Sequence, residues 1–254
     1  MKGFIHWLLN HVPRPLMQRV ASLGVPMMGL LYRGRGRECT ICGSRWRKFM
    51  PYGYVTVREE ALCPNCLSLE RHRLLWLWMV MHTDLLRGGA KILHIAPEVS
   101  IMKRLRKICG AEYVTADLES PLADLHFDVQ DIPLEESSVD IILCNHIMEH
   151  IEDDRRAMRE LHRVLRPGGW GVILVPMDEE RDHTFEDDSV TDEAERTRIF
   201  GQYDHRRVYG RDYADRLRES GFEVDAIDFY SQLRKPERLF YGVKNETIYR
   251  VTKH

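Results

Sequence analysis

Asp128-Val129-Gln130-Asp131-Ile132-Pro133 is followed by Glu135-Glu136-Ser137-Ser138-Val139-Asp140-Ile141-Ile142, then Asn145-His146-Ile147-Met148-Glu149-His150-Ile151, then Arg163-Val164-Leu165-Arg166-Pro167-Gly168-Gly169. Val139 to Cys144 is a short apolar run with polar flanks, the pattern of a buried strand. Asp153 to Leu165 carries apolar residues at helical spacing, and Gly171 to Val175 is apolar again. The alternation continues outward. Upstream, Lys91 to Ala96 reads as a strand, Ile101 to Ile108 as a helix and Glu112 to Ala116 as a strand. Downstream come a helix near Tyr209 to Ser220 and two strands, Phe222 to Phe229 and Glu246 to Thr252. Strands that alternate with helices predict an α/β fold whose parallel sheet is covered on both faces, with ligands at the carboxyl ends of the strands.

The 254 residues are 44% hydrophobic and 30% charged, with 17 Gly and 11 Pro. That composition supports a core and excludes collagen-like and wholly disordered chains. No apolar run reaches the roughly 18 residues of a membrane-spanning helix. No leader with a cleavage site is recognisable, so the cytoplasm is the expected compartment. The net charge of -2 hides a split: residues 1–110 hold 18 Lys/Arg against 6 Asp/Glu, and residues 111–254 hold 19 against 33. The basic half suits an anionic partner, or the two halves attract each other.

Four of the six cysteines form two knuckles, Cys39-Thr40-Ile41-Cys42 and Cys63-Pro64-Asn65-Cys66. Paired CxxC motifs twenty residues apart point to a four-thiolate zinc site with no open position, hence a structural one. Tyr54 to Val57 reads as one strand of a zinc ribbon, and Leu67 to His82 as a helix leading out of it. Before the ribbon, residues 1–36 are rich in Leu, Met and Val but cut by Pro13, Pro15 and Pro26. They read as an amphipathic helical arm, packed on the protein or lying peripherally on an anionic membrane. The expected organisation is an arm over 1–36, a ribbon with its connecting helix over 37–86, and an α/β domain over 87–254.

The four quoted runs resemble, in order and spacing, the class I S-adenosylmethionine-dependent methyltransferases of the small-molecule type, over residues 91–254. The resemblance implies a Rossmann-like domain with a mostly parallel seven-stranded sheet behind the small zinc ribbon, and S-adenosyl-L-methionine as cofactor. It places Asp117, with Leu118 beside it, at the ribose hydroxyls. It places Asp128 and the backbone of Val129 at the adenine, and Asn145 and His146 at the methionine part and the substrate. One departure stands out. Where the family carries an acid and a glycine-rich turn, this chain has His94-Ile95-Ala96-Pro97-Glu98-Val99-Ser100, so His94, Ala96 and Glu98 fall at the cofactor. Glu98 is expected to turn toward the cofactor's ammonium group and supply the missing negative charge. His146 and His205 are the candidate general bases, and His150 is a candidate either for catalysis or for packing.

The expected activity is methyl transfer to a small-molecule, saccharide or lipid-linked acceptor, at oxygen. Methylation of a ribosomal RNA base, with the ribbon as recognition module, is the alternative that the basic half suits. A non-catalytic adaptor is the third reading.

Overall fold

The computed structural model describes residues 29–53 and 57–254. Most of the expected arm, residues 1–28, and Tyr54 to Thr56 of the expected ribbon strand lie outside the described residues; Val57 precedes a strand that begins at Arg58. The chain divides into two compact units. One takes in the described residues up to Leu77 together with Leu233–Lys244, and the other is Trp78–Gln232 with Asn245–His254.

The larger unit is built on a seven-stranded sheet: β1 (Ile92–Ile95), β2 (Tyr113–Asp117), β3 (Leu125–His126), β4 (Val139–Asn145), β5 (Leu165–Leu174), β6 (Glu223–Ile227) and β7 (Ile248–Thr252). Their order across the sheet is β3-β2-β1-β4-β5-β7-β6, with β7 antiparallel to both its neighbours and the other pairs parallel. This is the mostly parallel Rossmann-like sheet that the alternation called for. All four residues of β1 are buried, as a central parallel strand covered on both faces requires. Helix α1 (Val99–Cys109) buries Ile101, Met102, Leu105 and Cys109. Helix α2 (Asp154–Val164) buries Ala157, Met158, Leu161 and Val164, a stripe at spacings of one, three and three residues. Asp153 caps α2 by accepting from the Arg156 amide at 2.8 Å.

Pro167-Gly168-Gly169 lies within the fifth strand. β5 already begins at Leu165, and the run is a bulge inside it, with a register shift against β4 and Gly168 at φ +76°. Between β5 and β6 lies a helix that the sequence pattern did not announce, α3 (Glu193–Phe200), capped by Asp192.

In the smaller unit two hairpins, Arg33–Glu38 with Arg45–Trp46 and Met50–Tyr52 with Arg58–Leu62, precede the helix Glu70–His82. Phe49, Ile41 and Ala61 are fully buried there. Among the described residues no helix is long and apolar enough to cross a membrane.

Candidate functional site

β1 pairs with β2 on one side and with β4 on the other, and the strand order reverses at this point. A crevice at such a switch point is where open α/β sheets bind ligands. Ile95 is level with Ala116 and with Cys144, so the next residues bring Ala96, Asp117 and Asn145 side by side at the carboxyl ends. Two backbones there are left-handed, Ala96 at φ +43° and His146 at φ +56°. Strain of this kind gathers at ligand sites.

His94 is fully buried. Its Nε2 lies 2.8 Å from Glu98 Oε2, and its Nδ1 2.8 Å from the Tyr113 hydroxyl. A carboxylate only accepts, so Nε2 carries the proton and Tyr113 donates to Nδ1. Burial, followed by the Glu98 charge, pushes the Tyr113 phenol well up, so it keeps its proton. Asn145 Nδ2 donates to Glu98 Oε1 at 3.1 Å, while Asn145 Oδ1 is sealed from solvent with no hydrogen-bond partner. Tyr113, His94, Glu98 and Asn145 thus form a hydrogen-bonded chain that holds one carboxylate just past the end of β1.

Asp117 Oδ1 accepts from the Glu119 and Ser120 amides at 2.9 and 2.8 Å, which fixes the carboxylate at the end of β2; Leu118 beside it is exposed. Asp128 is exposed and accepts from the Gln130 amide at 2.8 Å, and Val129 next to it is buried.

After β4 the chain brings the three candidate histidines toward one carboxylate that the sequence reading passed over, Glu149. His146 Nε2 is 2.9 Å from Glu246 Oε1, and its Nδ1 is 3.6 Å from Glu149 Oε1. The rings of His150 and His205 meet edge to face with centroids 4.8 Å apart. His205 is buried; burial lowers its imidazole pKa and the Glu149 charge opposes the shift. Arg207 explains how residues so distant in sequence are held. Its Nη1 donates to the Met148 and Ile151 carbonyls at 2.8 and 2.5 Å and its Nη2 to the Glu152 carbonyl at 2.8 Å. The Arg206 amide donates to the Glu149 carbonyl at 2.8 Å. Arg207 Nε pairs with Glu186 at 2.9 Å.

In the smaller unit the four knuckle cysteines do converge. Cys39 and Cys66 sulfurs are 3.6 Å apart, those of Cys42 and Cys63 3.7 Å, and all four lie within 4.8 Å of one another. Each knuckle closes on backbone bonds: the Cys39 amide to Ser44 O and the Gly43 amide to Cys39 O, then the Cys63 amide to Ser68 O and the Leu67 amide to Cys63 O.

Residues 82–173 match the family described as a methyltransferase domain. The relatives agree. A Mycolicibacterium smegmatis protein named as a probable S-adenosylmethionine-dependent methyltransferase is 25% identical over 126 residues, 47% of this chain and 45% of its own. The 27-O-demethylrifamycin SV methyltransferase of Amycolatopsis mediterranei is 25% identical over 159 residues, 59% of this chain and 55% of its own. The chain thus spans about half the length of the curated relatives it matches. Among solved structures, an S-adenosylmethionine-dependent methyltransferase from Mesorhizobium loti superposes with a TM-score of 0.48 at 16% identity, over 70% of this chain and 96% of that one. The domain match and the named relatives make this part of the chain similar to S-adenosylmethionine-dependent methyltransferases, and the matched span contains β1, β2, β4 and their carboxyl ends.

Proposed function

We propose that the larger unit binds S-adenosyl-L-methionine across the ends of β1, β2 and β4 and transfers its methyl group to an oxygen of a small-molecule, saccharide or lipid-linked acceptor. The observation that carries this reading is the row Ala96, Asp117, Asn145 in register at the switch point, with Glu98 held behind it. Asn145 Oδ1, buried without a partner, and the Glu98 carboxylate form an acceptor pair suited to an ammonium group. Asp117, its Oδ1 tied to two amides, keeps Oδ2 for the ribose hydroxyls; Asp128 and the Val129 backbone take the adenine. The bound donor supplies a methyl carbon on a sulfonium, a centre already activated for in-line displacement. What remains for the protein is alignment and the exclusion of water. His146, left-handed at the end of β4 and steadied by Glu246, takes the acceptor's proton as the new bond forms. The rifamycin relative acts at oxygen by its name, which supports an oxygen acceptor.

The four cysteines hold a structural zinc ion in this reading. Sulfurs about 2.3 Å from a tetrahedral zinc stand about 3.8 Å apart, against about 2.05 Å in a disulfide; the separations of 3.6 and 3.7 Å fit the first. Charge balance fits as well. Arg73 is fully buried; its guanidinium donates to the carbonyls of Ala61, Ser68, Tyr241 and Gly242 and lies over the face of Phe49, with the Glu70 carboxylate also acting on its charge. Burial pulls its pKa down, and the Cys39 and Cys63 thiolates oppose that shift. Four thiolates on one zinc leave a charge of -2 beside that guanidinium.

Calorimetry with S-adenosylmethionine tests the proposal. One site is expected, and Asp117→Ala weakens it by about 1.5 to 3 kcal/mol, the usual worth of hydrogen bonds to a charged group. A wild-type chain that gives no heat, or an unaltered affinity in the variant, overturns it. A second reading, RNA base methylation, draws on the open groove of the smaller unit lined by Arg33, Arg35, Arg45 and Trp46. It requires RNA binding that weakens steeply with salt.

A further inference from the structure

We propose that Glu149, His150 and His205 bind a divalent transition-metal ion, at a site separate from the four cysteines and next to the proposed methyl-transfer site.

One donor atom from each of the three side chains lies within 4.8 Å of the other two. The hydrogen bonds around them settle which atoms are free to ligate. His205 Nδ1 is 3.0 Å from the Phe200 carbonyl, and His150 Nδ1 is 3.3 Å from an Asp204 carboxylate oxygen. Both partners can only accept, so each Nδ1 carries the proton and each Nε2 keeps its lone pair. This is how metal-bound imidazoles are oriented, with the outer nitrogen donating to a carboxylate or a carbonyl. His150 Nε2 faces Glu149 Oε1 at 4.0 Å, too far for a hydrogen bond and a natural span across a shared ion. His205 Nε2 receives the Gln202 amide nitrogen at 2.9 Å, a donor standing where the cation would be and displaced by it.

Glu149 supplies the independent observation. Its side chain is 2% exposed, and Oε2 is sealed from solvent with no hydrogen-bond partner. A bare buried carboxylate is costly unless a positive charge compensates it. Among the described residues, the charged groups around Glu149 include His146 at 3.6 Å, itself paired with Glu246 at 2.9 Å, His150 at 4.0 Å and, beyond His150, the carboxylate of Asp204. A dication compensates the Glu149 charge and leaves both imidazoles in the tautomer that their Nδ1 partners require. The frame is rigid, since Arg207 ties down the carbonyls of Met148, Ile151 and Glu152 and Arg196 donates to the His205 carbonyl at 3.1 Å.

Two imidazoles and one carboxylate suit zinc, iron(II), manganese or cobalt, and leave coordination positions open. His146 sits beside those positions. An acceptor oxygen bound there would have its pKa lowered by the ion, which would ease transfer of its proton to His146.

Cobalt(II) titration of the full chain, with its four-cysteine site already filled by zinc, tests the proposal. One equivalent is expected to bind with the weak visible bands of nitrogen and oxygen ligands and without intense sulfur-to-metal charge transfer. Proton NMR of that complex is expected to show two exchangeable, hyperfine-shifted imidazole N–H signals, one each from His150 and His205. Glu149→Gln, and Asp204→Asn through the orientation of His150, are each expected to weaken cobalt by about tenfold or more. Failure of the wild-type chain to bind cobalt outside the thiolates overturns the inference, as does equal affinity in both variants or the absence of the two shifted signals. No S-adenosylmethionine enters the measurement, so its outcome is independent of the methyl-transfer reading.

Discussion

The cysteine cluster of the smaller unit and the Glu149–His150–His205 cluster of the larger one both gather ligand atoms, but the chain builds them in opposite ways. The cysteines come from two short knuckles closed on their own backbone bonds, in a unit whose strands are only two to six residues long. The second cluster joins residues more than fifty positions apart and sits on a finished α/β core in which β4, α2 and Arg207 fix every approach. On the readings proposed above, an ion would complete the fold in the first region, whereas in the second the fold presents ligands for one.

Metal removal separates the two most widely. Structural zinc contributes about 10 to 16 kcal/mol in small zinc modules. Stripping the four cysteines, or replacing Cys63 with Ser, is expected to abolish ordered amide signals from the hairpins while those of the larger unit persist. Emptying the second cluster is expected to leave circular dichroism and the melting temperature nearly unchanged. Hairpins that survive without metal would remove the contrast.

Arg73→Met comes next. It deletes the buried cation beside the cysteine cluster and takes a donor from four carbonyls, of which that of Ser68 keeps the Cys63 amide. A loss of about 3 to 5 kcal/mol is expected, the range for breaking a buried charged pair, read as a fall in the urea midpoint. A variant as stable as the parent would mean that no anionic cluster stands opposite Arg73.

The contrast also sets what the sequence could reveal. CxxC spacing is local, so the thiolate cluster was legible, and so were β1, β2, β4 and α2, whose apolar periodicity is local too. The carboxylates of Asp117 and Asp128 followed from the family resemblance, and the structure fixes both on nearby amides. Glu149 was missed because nothing nearby marks it: its burial depends on Arg206 and Arg207 reaching back across the fold. Glu98 was read as turning toward the cofactor; what no spacing announced is that its carboxylate is shared between His94 and Asn145, in a relay that needs Tyr113 from the neighbouring strand to complete it. The helix Glu193–Phe200 was hidden inside a run of charges despite its Asp192 cap.

The larger unit has its own buried charge, and it behaves differently from Arg73 because its partners are protein side chains. Asp154 accepts from Arg216 at 2.7 Å and from the Tyr209 hydroxyl at 2.7 Å. Burial pushes its carboxyl pKa up, but the Arg216 hydrogen bond, the Arg207 charge and Tyr209 outweigh that and leave it below the ordinary carboxylate value. A folded pKa below the unfolded one gives stability that is complete above the unfolded value, about 3.9, and lost as pH falls through the folded value. Asp154→Asn is expected to cost about 1.5 to 3 kcal/mol near neutral pH. The difference from wild type should shrink as the pH drops below about 4, as denaturant midpoints at a series of pH values would show. Thiolate-bound metal is lost on acidification by ligand protonation, so the smaller unit should also fail in acid, but with release of zinc.

The smallest effect concerns backbone strain. The first knuckle gives its left-handed position to Gly43 at φ +70°, where an added Cβ would meet nothing, whereas the end of β1 imposes φ +43° on Ala96, at the place of a family glycine. A side chain in that region costs about 1 to 2 kcal/mol. Glycine would remove the strain but loses about 0.4 to 1 kcal/mol through the freer unfolded chain. Ala96→Gly is therefore expected to stabilise the larger unit by about 0.5 to 1 kcal/mol, seen as a small rise in the urea midpoint with unchanged cobalt binding. A fall in the midpoint would show that the methyl group is held by packing worth more than the strain, and that the first strand of this unit departs from the glycine-rich pattern because its core requires the methyl.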